Sequence, residues 1–433
     1  MSTSMPAALA AAPAADAAPL GPWWKEPTGQ QLGAFGASWL AWVLDAFDFT
    51  VFILVMPLIA KEFNQSFTAT ALSITLTLLM RLVGGLAAGA VADRIGRKAP
   101  LVFAIAWFAL CDAALYFAPS FTWILVFRTL FGIGMGAQWT AGATLAMENW
   151  PARSKPIASG VLQGSWAVGY FIAAAVSAAI VPTHGWRLLF LVAAAPALVA
   201  LPLVMLVKEQ RPQKALGAAP AAVVPFSALF KAPHLTRVLW AAVVEALGFS
   251  VYYAMTALWP TLLKVEQGLS QTQISHLVQI FNVAMLVGSV LCGMLAARKG
   301  VAMGIWLPAV LMVPLIPLYI GWLPGQLWLG ALVAGGIGVA YVGITPLLLT
   351  GLFDESVRAR AVGLVYHVGA ACAALIPPLV ALLHDKFGVS FAAAVGGSIA
   401  ACELLLAVAL WLRPAGVLPS PSHPPVAPGN TRG

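Results

Sequence analysis

Apolar residues run along this chain in long stretches, and the polar positions that break them recur at the spacing of a membrane span. Twelve such runs predict twelve helices, over 33–60, 68–92, 99–118, 121–146, 156–182, 186–207, 237–263, 271–297, 301–322, 326–349, 359–383 and 389–412. Each is long enough to cross about 30 Å of hydrocarbon. The fold this predicts is an all-α membrane protein of twelve transmembrane helices in two six-helix bundles, 33–207 and 237–412. Residues 1–32 and 413–433, rich in Ala, Pro, Ser and Gly, are expected as disordered cytoplasmic tails. Residues 208–236, rich in Pro and Ala with scattered Lys, are expected as a cytoplasmic interdomain loop.

The two bundles repeat. Gly89-Ala-Val-Ala-Asp-Arg94 recurs as Gly293-Met-Leu-Ala-Ala-Arg298, and Gly132-Ile-Gly134 recurs as Gly336-Ile-Gly338, both 204 residues on. Pro57 matches Pro260, and Gly160-Val-Leu matches Gly363-Leu-Val, 203 residues on. Collinear matches of this kind predict two structural repeats able to rock about a central site. The ionisable residues do not repeat. Gly248 and Val251 stand where Asp45 and Asp48 would recur, and Leu332 stands for Arg128. The second half offers aromatics instead: Phe249, Tyr252, Tyr253 and Trp259.

Composition rules out a soluble domain, since 61% of residues are hydrophobic and 9% charged. The placement of charge then gives an orientation. Of the 23 Lys and Arg, seventeen fall on the side of the termini, four fall opposite, and two, Arg81 and Arg128, lie within spans. By the positive-inside rule both termini are expected in the cytoplasm, with the chain multi-pass in an inner membrane. No cleavable signal peptide is read in residues 1–22. The four cysteines are scattered through apolar runs without ligand spacing and read as packed thiols. No metal, cofactor or nucleic-acid partner is expected, and the protein is expected to be a monomer in the lipid bilayer.

Ionisable residues inside apolar spans are costly and mark function by default. Asp45 and Asp48 are three residues apart, so one helix face carries both. Arg81, amid Leu-Leu-Met-Arg-Leu-Val-Gly-Gly, needs a partner at mid-span. It could pair with Asp45 or Asp48, or offer its fork to a carboxylate ligand. Arg128 precedes Gly132, Gly134 and Gly136, which allow close helix approach. Gln138 and Trp139 on the same run suit packing or hydrogen bonding to a ligand. Tyr252, Tyr366 and His367 are the binding candidates of the second half, and His367 is its titratable one. Glu245, Asp112, Glu403 and His276 are expected near span ends, wetted or locally paired.

The most specific pattern is Gly89-x-x-x-Asp93-Arg94-x-Gly96-Arg97-Lys98. Its Gly89 suits close packing of spans two and eleven, its Asp93 suits a helix N-terminus, and its basic residues suit an anionic membrane surface. A gating loop is the expected role.

That loop resembles the signature of the major facilitator superfamily, and with the doubled twelve spans the resemblance covers residues 33–412. Leu44-Asp-Ala-Phe-Asp-Phe49, Met80-Arg-Leu-Val-Gly84, Gly132-Ile-Gly-Met-Gly-Ala-Gln-Trp139 with Leu145-Ala-Met-Glu148, and Val365-Tyr-His-Val-Gly369 look like the sialate/monocarboxylate:proton symporters. More distantly they are similar to aromatic-acid:proton symporters. The resemblance implies proton-coupled uptake of a small organic anion. Asp45 and Asp48 would take the proton or the substrate, and Arg81 and Arg128 would handle the anion or the coupling. Two departures matter. Gln138 stands where the group often carries Glu, which moves coupling to Asp45 or Asp48. Loop 208–236 holds no extra spans of the sialate type, which favours a smaller monocarboxylate such as lactate or pyruvate. Sialic acid, an aromatic acid or an exported drug are the alternatives within transport, and a ligand sensor on the same scaffold is the alternative outside it. No nucleophile–base or metal constellation suggests an enzyme.

Overall fold

The computed structural model describes residues 25–147, 150–151, 155–208, 226–232, 234–353 and 355–413. The elements are α1 (Gly29–Glu62), α2 (Phe67–Ile95), α3 (Lys98–Tyr116), α4 (Phe121–Met147), α5 (Lys155–Ala194), α6 (Ala197–Leu206), α7 (His234–Thr256), α8 (Trp259–Val265), α9 (Gln271–Lys299), α10 (Val301–Met312), α11 (Ile316–Tyr319), α12 (Leu327–Val333), α13 (Thr345–Leu352), α14 (Glu355–Ala373), α15 (Ile376–Phe387) and α16 (Phe391–Trp411). Ten helical stretches are long and apolar enough to cross a membrane. One of them, 161–206, is two rods joined at Gly185, whose φ of 75° no helix can continue through. With α4, whose apolar run is interrupted by Arg128 and Gln138, the twelve expected spans are accounted for.

Local chemistry sets the ends. Thr28 and Gln31 form a capping box, so α1 starts at Gly29, inside the stretch expected as tail. Residues 1–24, 209–225 and 414–433, the bulk of the expected tails and loop, lie outside the described residues. The C-terminal part of the expected loop is helical in two pieces: Phe226–Phe230 as a 3₁₀ turn, and the start of α7 at His234.

The internal repeat is written into the caps. Ser66 caps α2 and Ser270 caps α9, each accepting from a backbone N–H three residues on. Gly96 and Gly300 close the same two helices with φ of 100° and 89°. Both pairs are 204 residues apart. The register changes in the tenth span, where Ala334–Gly338 form a π-helical turn. A Cβ on Gly132 would meet Thr77 O at 2.2 Å, and one on Gly335 would meet Phe281 O at 2.0 Å. Gly132 therefore answers structurally to Gly335, not to the Gly336 that the sequence match selects. The π turn accommodates the extra residue. Prolines divide other spans of the second half. The ninth breaks across Pro314 and Pro317, and the eleventh across Leu375 ahead of Pro377. In the first half α1 runs unbroken through Pro57.

Glycines let α2 and α4 touch through their backbones. A Cβ on Gly84 would lie 2.0 Å from Ile133 O, and one on Gly136 would lie 1.9 Å from Arg81 O. Gly136→Ala is expected to cost at least about 1–3 kcal/mol. A lower melting temperature of the detergent-solubilised variant would register it, and an unchanged one would contradict this packing.

Candidate functional site

Five ionisable side chains meet inside the first bundle. Asp45 and Asp48 of α1, Arg81 of α2, Asp112 of α3 and Arg128 of α4 are each at most 2% exposed. The shared face of Asp45 and Asp48 thus looks into the bundle. Arg128 Nη1 stands 3.9 Å from Asp112 Oδ1, and its guanidinium lies over the rings of Phe52 and Phe131 at 4.6 and 4.3 Å. The carboxyl groups of Asp48 and Asp112 lie near enough to act on one another, and two buried carboxyls so placed favour one proton held between them. Asp45 lies in the field of both Arg81 and Arg128. The carboxyl oxygens of all three acids are buried without a hydrogen-bond partner among the described residues.

Asp112, expected near a span end and either wetted or locally paired, is paired and fully buried. It stands beside Arg128 because α3 and α4 form an antiparallel hairpin around residues 117–120. That short turn was the available signal.

Arg81 faces the other bundle. Its Nη2 donates to Tyr366 Oη at 3.3 Å, and its guanidinium lies 5.5 Å from the Tyr366 ring and 5.9 Å from the Trp166 ring. Tyr253 borders it as well. Tyr366 stacks on Trp139 at 4.4 Å and 12°, and Trp139 meets His367 edge-on at 5.3 Å. Trp166 Nε1 donates to Tyr252 Oη at 2.7 Å, and Phe49 packs against Trp166 and Tyr253. The aromatic candidates Trp139, Tyr252, Tyr366 and His367 therefore converge with Arg81 at the seam between bundles. Sequence reading missed Trp166 and Phe49, since an aromatic in an apolar run carries no mark of its register. Gln138, next to Trp139 in sequence, is buried with its Oε1 unpartnered and turns instead to the space by Gly142 that Ser38 and Leu101 also border.

A cavity of about 610 Å³ opens from the seam between α5 and α9. Trp39, Gln163, Trp166, Tyr252 and Ser289 are among its lining residues. Neither Asp45 nor Asp48 lines it. The Trp166–Tyr252 contact forms the wall between the cavity and Arg81.

The opposite end of the seam is closed. Asp385, at the end of α15, accepts from both Thr68 N and Thr68 Oγ1 at 2.7 Å. Its carboxylate thereby caps the first turn of α2 across the two bundles. Gln271 Nε2 donates to Ser177 Oγ, and Thr75 Oγ1 donates to Ala374 O. Asp385→Ala is expected to raise the fraction of molecules open at this end by about two- to tenfold. Faster thiol labelling of a cysteine placed at the buried Ser177, in a background without native cysteines, would report it. An unchanged rate would exclude a latch here.

Of the loop candidates, Arg97 donates from Nη1 to Ala92 O, Lys98 from Nζ to Met205 O, and Gly96 ends α2. The side chains of Asp93 and Arg94, and residue Glu148, lie outside the described residues. Gly89 does not join spans two and eleven as expected: a Cβ there would face Thr140 of α4 at 3.7 Å. Gly85, one turn earlier, makes that approach, with His367 Nε2 at 2.8 Å from a Cβ built on it. Among the described residues no group of three or more His, Cys, Asp or Glu is placed to hold a metal ion.

The Major Facilitator Superfamily profile matches residues 38–350. The chain belongs to that family. It is 28% identical over 397 residues to the cis,cis-muconate transport protein of Acinetobacter baylyi, covering 89% of this chain and 93% of that one. It is 25% identical over 373 residues to the sialic acid transporter of Escherichia coli K12, covering 84% and 90%. Its fold matches the crystal structure of a D-xylose-proton symporter with a TM-score of 0.73 at 17% identity, covering 90% and 98%. This member of the superfamily is a multi-pass membrane transporter and not an enzyme.

Proposed function

We propose that the chain carries a small organic anion together with protons by alternating access, in an inner membrane, with both termini cytoplasmic. Arg81 is the observation that supports this best. It is a buried cation at the seam, bonded by one bundle's tyrosine while it belongs to the other. A carboxylate replacing Tyr366 at its fork would feel both bundles at once. Charge placement in the loops supports the orientation. With it, the closed end of the seam is the outer one and the cavity faces the cytoplasm.

Lactate and pyruvate fit an Arg81 fork but leave the surrounding rings without contact. Trp139, Trp166, Tyr253 and Tyr366 favour a carboxylate on a flat, unsaturated or aromatic body, which the rings can stack. The muconate relative agrees with that choice, and the sialic acid relative keeps a sugar acid as the alternative. The test is a thermal-shift screen of purified protein against benzoate, cis,cis-muconate, sialic acid and lactate, followed by counterflow in proteoliposomes. Stabilisation and counterflow by benzoate or muconate, with neither by lactate, is the expected result. Binding of lactate alone would return the site to the smaller monocarboxylates. Binding without counterflow of any of the four would make the protein a sensor.

A further inference from the structure

A second group of buried acids lies in the other bundle, and nothing in the anion site uses it. Glu245 of α7 is 2% exposed and Glu403 of α16 is 0% exposed. The sequence reading expected both near span ends; packing of α7 against α14 and α16 encloses them instead. Tyr341, also fully buried, donates from Oη to Glu403 Oε2 at 3.2 Å. Tyr341 is brought there by the break in the tenth span, where the π turn at Ala334–Gly338 gives way to a 3₁₀ turn at Ala340–Ile344. Glu245 also acts on Tyr341, and Thr345 reaches toward the Glu245 carboxyl. One oxygen of each acid, Glu245 Oε1 and Glu403 Oε1, is buried without a partner.

Among the described side chains no cation answers these acids. From α16 the other ionisable neighbour is Cys402; from α14 it is Tyr366, while His367 turns to Gly85 and Trp139 and the side chains of Glu355, Arg358 and Arg360 lie outside the described residues. The segments Phe226–Phe230, α10 and α13 carry no ionisable side chain, and those of α15 (His384, Asp385, Lys386) lie at its far end. Arg237 is two turns back along α7, with Nη1 on Leu352 O. An ionised carboxylate here would have hydroxyl groups and apolar walls around it but no opposite charge among the described side chains. The first bundle differs, because Arg81 and Arg128 oppose its acids. Only a proton can neutralise the second group in place, and it can leave only when water enters.

The seam that would admit water is defined. A Cβ on Gly369 of α14 would lie 2.7 Å from Glu245 Cβ, so α14 rests directly on the residue carrying the acid. Tyr366, one turn earlier on the same face of α14, is the residue that holds Arg81. Movement of α14 away from both α2 and α7 would break the Arg81 contact and wet Glu245 together. We propose that Glu245 and Glu403, bridged by Tyr341, form a second proton-binding site, loaded while α14 packs on α7 and emptied when that seam opens. The inference goes beyond the anion site and does not depend on which anion is carried.

The test takes the full-length protein in detergent and follows the protonated-carboxyl C=O stretch by infrared difference spectroscopy from acid to alkaline pH. Wild type is expected to lose a carboxyl band that is absent from the difference spectra of Glu245→Gln and Glu403→Gln. Tyr341→Phe keeps both acids but removes the hydrogen bond, so it is expected to move that band in frequency. Identical pH-difference spectra for wild type and both glutamine variants would overturn the proposal and make the pair a permanently neutral contact. Should the glutamine variants fail to fold, Tyr341→Phe decides alone: a spectrum unchanged from wild type overturns it. Failure of the anion reading would show separately, as absent counterflow by a wild type whose carboxyl band still titrates.

Discussion

Arg81→Lys is expected to abolish measurable binding of the transported anion while leaving the protein folded. Lysine keeps the positive charge near Asp45 but loses the planar fork that receives both oxygens of a carboxylate. It also loses stacking against Trp166 and Tyr366, now 5.9 and 5.5 Å from the guanidinium. Disabling a buried charged hydrogen-bonding partner costs about 2–5 kcal/mol, or about thirtyfold to several thousandfold in affinity. Arg81→Ala would be a poorer probe, because it strands Asp45 without its cation and confuses binding with stability. Arg128→Lys serves as the contrast. Arg128 lies deeper, enclosed by Phe52, Phe131 and Asp112, and away from the aromatic seam. Its lysine variant is expected to lose stability more than affinity. Titration of benzoate against both variants, with melting curves alongside, checks this. Equal loss of affinity at the two positions would move the anion away from Arg81.

The distinction between those two arginines was invisible in the sequence, where both are single cations in apolar runs. Spans, repeat and ionisable face were legible because hydrocarbon tolerates few patterns. An apolar run must be a helix, and an Asp within it must turn from lipid. Asp45 and Asp48 sharing a face follows from helical period alone. Which cation answers which acid depends on rotation and depth of neighbouring helices, and runs that are apolar all round fix neither. Hence Asp112, Glu245 and Glu403 read as span-end groups, wetted or locally paired, although helix neighbours bury all three. The glycine positions show the same limit. Gly89 belongs to the more specific motif, yet Gly85 meets His367, because a shift of one turn along α2 changes the helix it faces. The π turn in the tenth span is likewise silent in sequence, and it moves the structural repeat by one residue.

Asp45→Asn is expected to remove the pH dependence of anion binding, and Asp48→Asn to leave it nearly intact. In the sequence the two acids have equal claims; charge counting in the first bundle moves the weight to Asp45. Arg81 and Arg128 contribute two positive charges. With one proton held between the neighbouring carboxyls of Asp48 and Asp112, that pair contributes one negative charge, which leaves Asp45 to balance the second cation. A monoanion arriving at Arg81 adds a negative charge beside Asp45, and in a water-poor interior the cluster regains neutrality when Asp45 takes a proton. One proton is then bound with each anion, and affinity falls as pH rises, by about tenfold per unit on the alkaline limb. Asparagine at 45 copies the protonated state. The empty cluster carries one positive charge, the anion cancels it, and no proton is taken up. Asparagine at 48 removes an acid together with the shared proton, so the net charge stays as it was and Asp45 still titrates. The measurement is the dissociation constant of benzoate across a pH series for wild type and the two variants. A flat profile for Asp48→Asn with a steep one for Asp45→Asn would invert the assignment and place the exchanging proton between Asp48 and Asp112.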